Sequence, residues 1–166
     1  MPEDHPRLGG WAGLTAGNGV RLRTLPRWVT RHADHLIALE RQGLSAAQGT
    51  ALAHFDALPH NILLTEQGVV LVDWPHARLG APEIDLLTVL ASAAADGLDP
   101  DPVLRTQPIA ATPGDVDAIL AALAGFWLTG TLDERCPTPI AAAKMKLGRG
   151  ALRWLRCRLG ITSNAL

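Results

Sequence analysis

Two apolar, β-branched runs, Asn61–Thr65 and Val69–Asp73, flank the short polar stretch Glu66-Gln67-Gly68. Strand formers on either side of such a break read as an antiparallel β-hairpin. With Glu66-Gln67 as the loop, Thr65 faces Gly68, Leu64 faces Val69 and Asn61 faces Val72. That register brings Asn61 beside Asp73 at the open end. The polar residues gathered there are His54, Asp56, His60, Asn61 and Asp73, whereas the closed end offers only Thr65, Glu66 and Gln67.

The rest of the chain has a helical period. Pro26 opens a helix over Arg27 to Gln42, with Trp28, His32, His35, Leu36 and Leu39 near helical spacing and Gly43 as its stop. Thr50–His54 predicts a short strand leading into a loop. Pro82 and Glu83 open a helix that reaches about Ala95. Asp115–Leu128 is apolar on nearly every side, the pattern of a buried helix. Ile140–Leu159 is a long helical stretch weakened by Gly148 and Gly150. It carries Leu152, Leu155 and Leu159 on one face and Arg149, Arg153 and Arg156 on another. Residues 1–26 are rich in Gly and Pro without a period and read as loop. The expected organisation is an irregular segment over 1–25 and one domain over 26–166. Its expected fold class is α+β, mostly helical with one β-hairpin at the active edge.

Composition narrows the classes of function. At 166 residues, 48% apolar and 19% charged, the chain is one globular domain's worth. A net charge of −1 gives no field toward nucleic acid or a membrane surface, and the Arg-bearing face of the last helix reads as solvated. The longest apolar runs are too short to span a bilayer, and the N-terminus lacks the regions of a signal peptide. Cys136 and Cys157 form no metal-binding pair, and two thiols without a disulfide framework fit a cytoplasmic location. Of the fifteen basic side chains, only Lys144 and Lys146 are lysines.

The open end of the hairpin carries the chemistry. Phosphoryl transfer to a hydroxyl needs a carboxylate to orient the acceptor and take its proton, and oxygen ligands to hold magnesium against nucleotide phosphates. The pattern H-x-D-x-x-x-x-N, here His54-Phe55-Asp56-Ala57-Leu58-Pro59-His60-Asn61, followed by a hairpin and Val72-Asp73-Trp74, supplies those parts. By composition, a chance occurrence of the first pattern would arise in roughly one such chain in a hundred. Taken one at a time, Asp56 also fits a turn carboxylate, Asn61 a cap of the same turn, and Asp85 a simple complement to a helix dipole.

This stretch resembles the catalytic core of the aminoglycoside phosphotransferase family, relatives of choline kinases and protein kinases. His54–Asn61 resembles the catalytic loop, Val72-Asp73-Trp74 the metal-binding Asp and its aromatic neighbour. Gly80-Ala81-Pro82-Glu83-Ile84-Asp85 resembles the start of the next helix, whose Asp supports the loop. The matching block runs from about residue 50 to 90. The resemblance implies Asp56 as catalytic base, Asn61 and Asp73 as magnesium ligands, and His54 and Asp85 as structural supports. It further implies ATP and Mg as cofactors and a small-molecule hydroxyl acceptor, such as an aminoglycoside. Acidic residues that could attract a cationic sugar amine are Asp96, Asp99, Asp101, Asp115, Asp117, Asp133 and Glu134. Pro75 stands where protein kinases place Gly, so no switch of the Asp73 segment follows.

A kinase-type site also needs a β-sheet N-terminal lobe with a phosphate-covering loop and a Lys on the α/β-phosphates. The residues before Ala51 contain no Lys. The glycines Gly9, Gly10, Gly13, Gly17 and Gly19 have no strand–loop–strand frame around them. The expectation is a C-terminal lobe whose N-terminal β-lobe is absent or separate, and which is inactive alone. Two alternatives remain. One is a non-catalytic remnant that binds a ligand or partner through the same cleft. The other is a metal-dependent hydrolase using His54, Asp56 and His60.

Overall fold

A helix that is apolar all round is stable only when it is surrounded. In the computed structural model, which describes residues 8–16, 21–132 and 136–162, that helix is α6, Pro113–Thr129. Thr112 caps it, accepting the Asp115 N–H while the Asp115 carboxylate accepts the Thr112 N–H. Around α6 lie α3 (Ala33–Ala46) and α7 (Thr138–Arg158), with α4 (Ile84–Ala95) packed mainly on α7 and α1 (Trp11–Thr15) across α3 and α6. Leu36, Ile84, Leu87, Ile119, Leu120, Leu152 and Leu155 are almost completely enclosed between these helices. Each such side chain contributes about 1.5–3 kcal/mol relative to exposure. Two short helices, α2 (Arg27–Arg31) and α5 (Asp101–Leu104), complete the set of α-helices among the described residues.

The strands form two small antiparallel sheets rather than the single hairpin expected. β2 (Ile62–Thr65) pairs with β3 (Gly68–Leu71) in the register read from the sequence, Thr65 opposite Gly68 and Leu64 opposite Val69. β1 (Ala51–Ala53) pairs with β4 (Arg78–Gly80), Ala53 opposite Arg78. This second sheet was missed because β4 is three residues long and includes an Arg and a Gly. It closes residues 54–77 into one excursion whose two feet stand side by side, so the loop and hairpin share one base.

Three local expectations change. The helix over Arg27 to Gln42 is two helices, parted at His32, whose Nδ1 donates to the Trp28 carbonyl at 2.8 Å. Gly43 does not stop α3. It lets the helix cross α6, where a Cβ would stand 2.2 Å from the Ala118 carbonyl oxygen. As expected of one long helical stretch, α7 runs through Gly148 and Gly150, whose bare backbones press against Leu128 and Ala95. Residues read as loop near the N-terminus include α1, which buries Trp11 completely. Gly17, Gly19, Asp133 and Glu134 lie outside the described residues.

Glu40 ties this first segment to the core. Its buried carboxylate accepts the Trp11 N–H at 3.0 Å, while the Trp11 indole donates to the Ala121 carbonyl at 2.8 Å. Burial raises the Glu40 pKa, against the opposing pull of the Trp11 and Gly10 backbone and of Arg41. A raised folded-state value means that the native state holds its proton longer than the unfolded chain. The stability Glu40 contributes is therefore greatest below its ordinary value near 4.5 and falls as pH rises through the folded-state value. Glu40→Gln should remove that slope, so the unfolding free energy of the variant relative to the parent should rise as pH is raised above 4.5. Denaturant titrations at a series of pH values measure it, and parallel profiles would contradict the assignment.

Candidate functional site

Asp85 sits in the first turn of α4. One carboxylate oxygen accepts the His54 N–H at 2.7 Å and the other the Phe55 N–H at 2.8 Å. Two charge-assisted bonds to consecutive amides fix the start of the loop. They also hold Phe55 at φ 61°, a left-handed conformation that costs a bulky residue of the order of 1–3 kcal/mol. The Phe55 ring is buried, and the Arg78 guanidinium lies over it 5.5 Å from its centroid.

His54 is fully buried. Its Nδ1 accepts the Asp56 N–H at 3.2 Å, so the proton is on Nε2, which donates to the Val72 carbonyl at 2.8 Å. A neutral imidazole with both nitrogens engaged cannot ligate a metal or act as a base. It works as a brace between the loop and the strand leading to Asp73. Trp74 covers the imidazole edge-on, with ring centroids 4.7 Å apart, and its indole N–H donates to the Leu71 carbonyl at 2.8 Å.

The Asp56 carbonyl accepts the Leu58 N–H at 2.7 Å and the Asn61 Nδ2 at 2.9 Å. Using Nδ2 in this way leaves the amide oxygen of Asn61 as the end that can meet a cation. The Val72 N–H donates to the Asn61 carbonyl at 3.0 Å, extending the ladder one pair beyond β2 and β3 and bringing Asn61 next to the Asp73 segment. Asn61 is only 3% exposed, whereas Asp73 is open to solvent at φ 62°. An amide oxygen and a carboxylate are hard donors of the kind magnesium accepts, with its remaining ligands drawn from water and phosphate. Among the described residues no three His, Cys, Asp or Glu side chains gather as a metal set. With His54 engaged on both sides, the hydrolase reading through His54, Asp56 and His60 loses its first ligand.

Asp56 also lines a cavity of about 730 Å³, where Pro59 and His60 face α4, α6 and α7. Asn61 and Asp73 do not line it; Asp56 does, and its backbone carbonyl holds the Asn61 amide. The walls on α6 and α7 were not foreseen. Phe126, Trp127, Ile140, Lys144 and Leu147 read as ordinary helix positions, and only the scarcity of lysine marked Lys144. Among the described residues expected to attract an amine, only Asp96 lines the cavity, and it pairs with Lys146. Asp101 and Asp117 bind Arg158. Burial works against that guanidinium's charge, but the two carboxylates outweigh it and raise its pKa.

Removing the Asp85 carboxylate strands two amide donors and releases the strain at Phe55. Asp85→Ala should cost about 3 kcal/mol of unfolding free energy and loosen the loop. Denaturant unfolding measures the first, and hydrogen exchange at the His54 and Phe55 amides the second. Unchanged exchange there would contradict the bracing role.

The model of the phosphotransferase enzyme family, APH, matches residues 2–125. The match spans the loop, the hairpin, Asp73 and Asp85, and also the helices before β1. No curated protein and no solved structure matches the chain. No helix among the described residues is long and apolar enough to cross a membrane. Family membership implies a kinase-like fold, of which the helical body and small sheets described above are the form taken here. The chain belongs to the phosphotransferase enzyme family.

Proposed function

We propose that this chain carries the base-and-metal half of a site that transfers a phosphoryl group from ATP to a hydroxyl of a small molecule. Asp56 is the base that orients the acceptor hydroxyl and takes its proton. Asn61 and Asp73 hold magnesium, which when bound neutralises charge on the nucleotide phosphates. His54 and Asp85 keep the loop and hairpin in register. The carrying observation is the hydrogen-bonded chain Asp85–His54–Val72, which joins the loop bearing Asp56 to the segment bearing Asp73. ATP and magnesium are typical of the family.

The nucleotide-anchoring half is proposed to come from elsewhere, as an adjoining segment or a separate chain. No Lys precedes the loop, and among the described residues before β1 there is no strand. The cross-strand pairs Leu52–Leu79, Leu63–Val70 and Leu64–Val69 are largely exposed, an apolar edge suited to being covered. That same lack of a lysine is what favours the second reading, a domain that binds through the cleft without turnover.

Positioning and electrostatics supply nearly all the catalysis in this reaction class. The isolated chain should therefore give negligible product with Mg-ATP and hydroxyl acceptors. Completed with a nucleotide-covering lobe, it should turn over, and Asp56→Asn should then lower kcat by about a hundredfold to ten-thousandfold. Phosphorylated product, followed with labelled ATP, is the readout. A completed enzyme indifferent to Asp56→Asn would overturn the proposal.

A further inference from the structure

Arginine is concentrated in one stretch that the phosphotransfer reading does not use. From His5 to Ala33 the chain has five Arg and no Lys, Asp or Glu. Three of them recur four residues apart, as Arg23, Arg27 and Arg31. A 3-10 turn over Arg21–Thr24 leads through Leu25 and Pro26 into α2. The Leu25 N–H donates to the Leu22 carbonyl at 3.0 Å and the Val29 N–H to the Pro26 carbonyl at 2.9 Å, which closes each turn on itself. Leu22, Leu25 and Val29 are buried in the helical core. Burying those three sends the residues between them outward. Arg23, Arg27, Thr30 and Arg31 then meet, with Leu25, around a pocket of about 430 Å³.

Among the described residues no carboxylate lines this pocket. The neighbouring stretch 17–20 is Gly-Asn-Gly-Val and brings no charged side chain. Arg31 has a further partner of its own, so Arg23 and Arg27, both exposed, are the cations that a ligand would engage. The Thr30 hydroxyl reaches the Leu22 carbonyl only at 3.5 Å, the limit of a hydrogen bond, and is able to turn toward an anion. Arg27 and Arg31 lie one turn apart on α2, where like charges disfavour each other and gain from a shared counter-ion. A guanidinium is planar and always charged, and its paired N–H groups match the edge of a phosphate. The donors converge on one concavity, and its volume suits a small molecule. A net charge of −1 gives no long-range pull on a polyanionic chain. We propose that this pocket binds a small molecule carrying a diphosphate group, one phosphate to each of Arg23 and Arg27, with the Thr30 hydroxyl donating to it. None of its wall belongs to the hairpin mouth or to the cavity beside Asp56, so the site is independent of the phosphotransfer reading.

Calorimetry on the full chain tests it, at about 0.15 M salt, where diffuse attraction beyond ~8 Å is screened. Magnesium and nucleotide are left out, so the hairpin mouth is not loaded. The probes are inorganic pyrophosphate, inorganic phosphate, sulfate and a single-stranded oligothymidylate. Pyrophosphate should bind saturably and at least about tenfold more tightly than phosphate or sulfate. Arg23→Gln and Arg27→Gln should each weaken pyrophosphate about tenfold or more, because each removes hydrogen bonds between charged groups. Arg23→Lys and Arg27→Lys, which keep the charge and lose the fork, should fall between the parent and the Gln variants. Arg149→Gln, an exposed position on α7, should leave the affinity unchanged. Arginines that only solvate the surface would give no saturable pyrophosphate binding, or binding indifferent to Arg23→Gln and Arg27→Gln, and either result overturns the inference. Equal affinity for pyrophosphate and sulfate would reduce the pocket to a local excess of charge and overturns it too. So does tighter binding of the oligothymidylate, which would make the surface a nucleic-acid contact.

Discussion

One carboxylate holds the site together. Asp85 bonds the backbone of two consecutive residues, and that pair of bonds decides where the next ones fall. Held at its own N–H, His54 presents Nδ1 to the loop and Nε2 to the Val72 carbonyl. Held at Phe55, the chain turns through a left-handed residue and brings Asp56 to the cavity wall. The arrangement is a relay of constraint from α4, through the loop, to the hairpin. None of its members needs to change charge, which suits groups that position others.

The hairpin is the second constraint. Side chains alternate along a strand, so a slip of one residue in pairing would turn every side chain to the other face. The two-residue turn at Glu66-Gln67 prevents that slip, with the Thr65 hydroxyl donating to the Gly68 carbonyl and accepting the Gln67 N–H. The β1–β4 pair then fixes the base on which the hairpin stands. Stability comes from the helical body, and the strands, poor in buried surface, serve placement.

Much of this was legible in the sequence because it is local. The hairpin register, the start of α4 near Asp85 and the buried character of α6 follow from turn chemistry, proline placement and apolar period. What was not legible is long-range. Nothing in a single sequence shows that Trp11 will be drawn into the core by Glu40 and the Ala121 carbonyl, or that Gly43 marks a helix crossing instead of a helix end. The left-handed Phe55 was equally hidden, since its conformation is imposed by a residue thirty positions away. The cavity was hidden for the same reason: its walls come from helices whose individual positions look like ordinary amphipathic spacing.

The central claim is that the hairpin mouth, through Asn61 and Asp73, is where a divalent cation meets the protein. Paramagnetic manganese in place of magnesium tests it most directly, because its broadening of amide signals falls off steeply with distance. With manganese and ATP added to the isotope-labelled chain, the signals of Asn61, Val72, Asp73 and Trp74 should broaden first, and Asp73→Ala should abolish the effect. Broadening centred on another part of the chain, or broadening at the hairpin mouth that survives Asp73→Ala, would contradict the account.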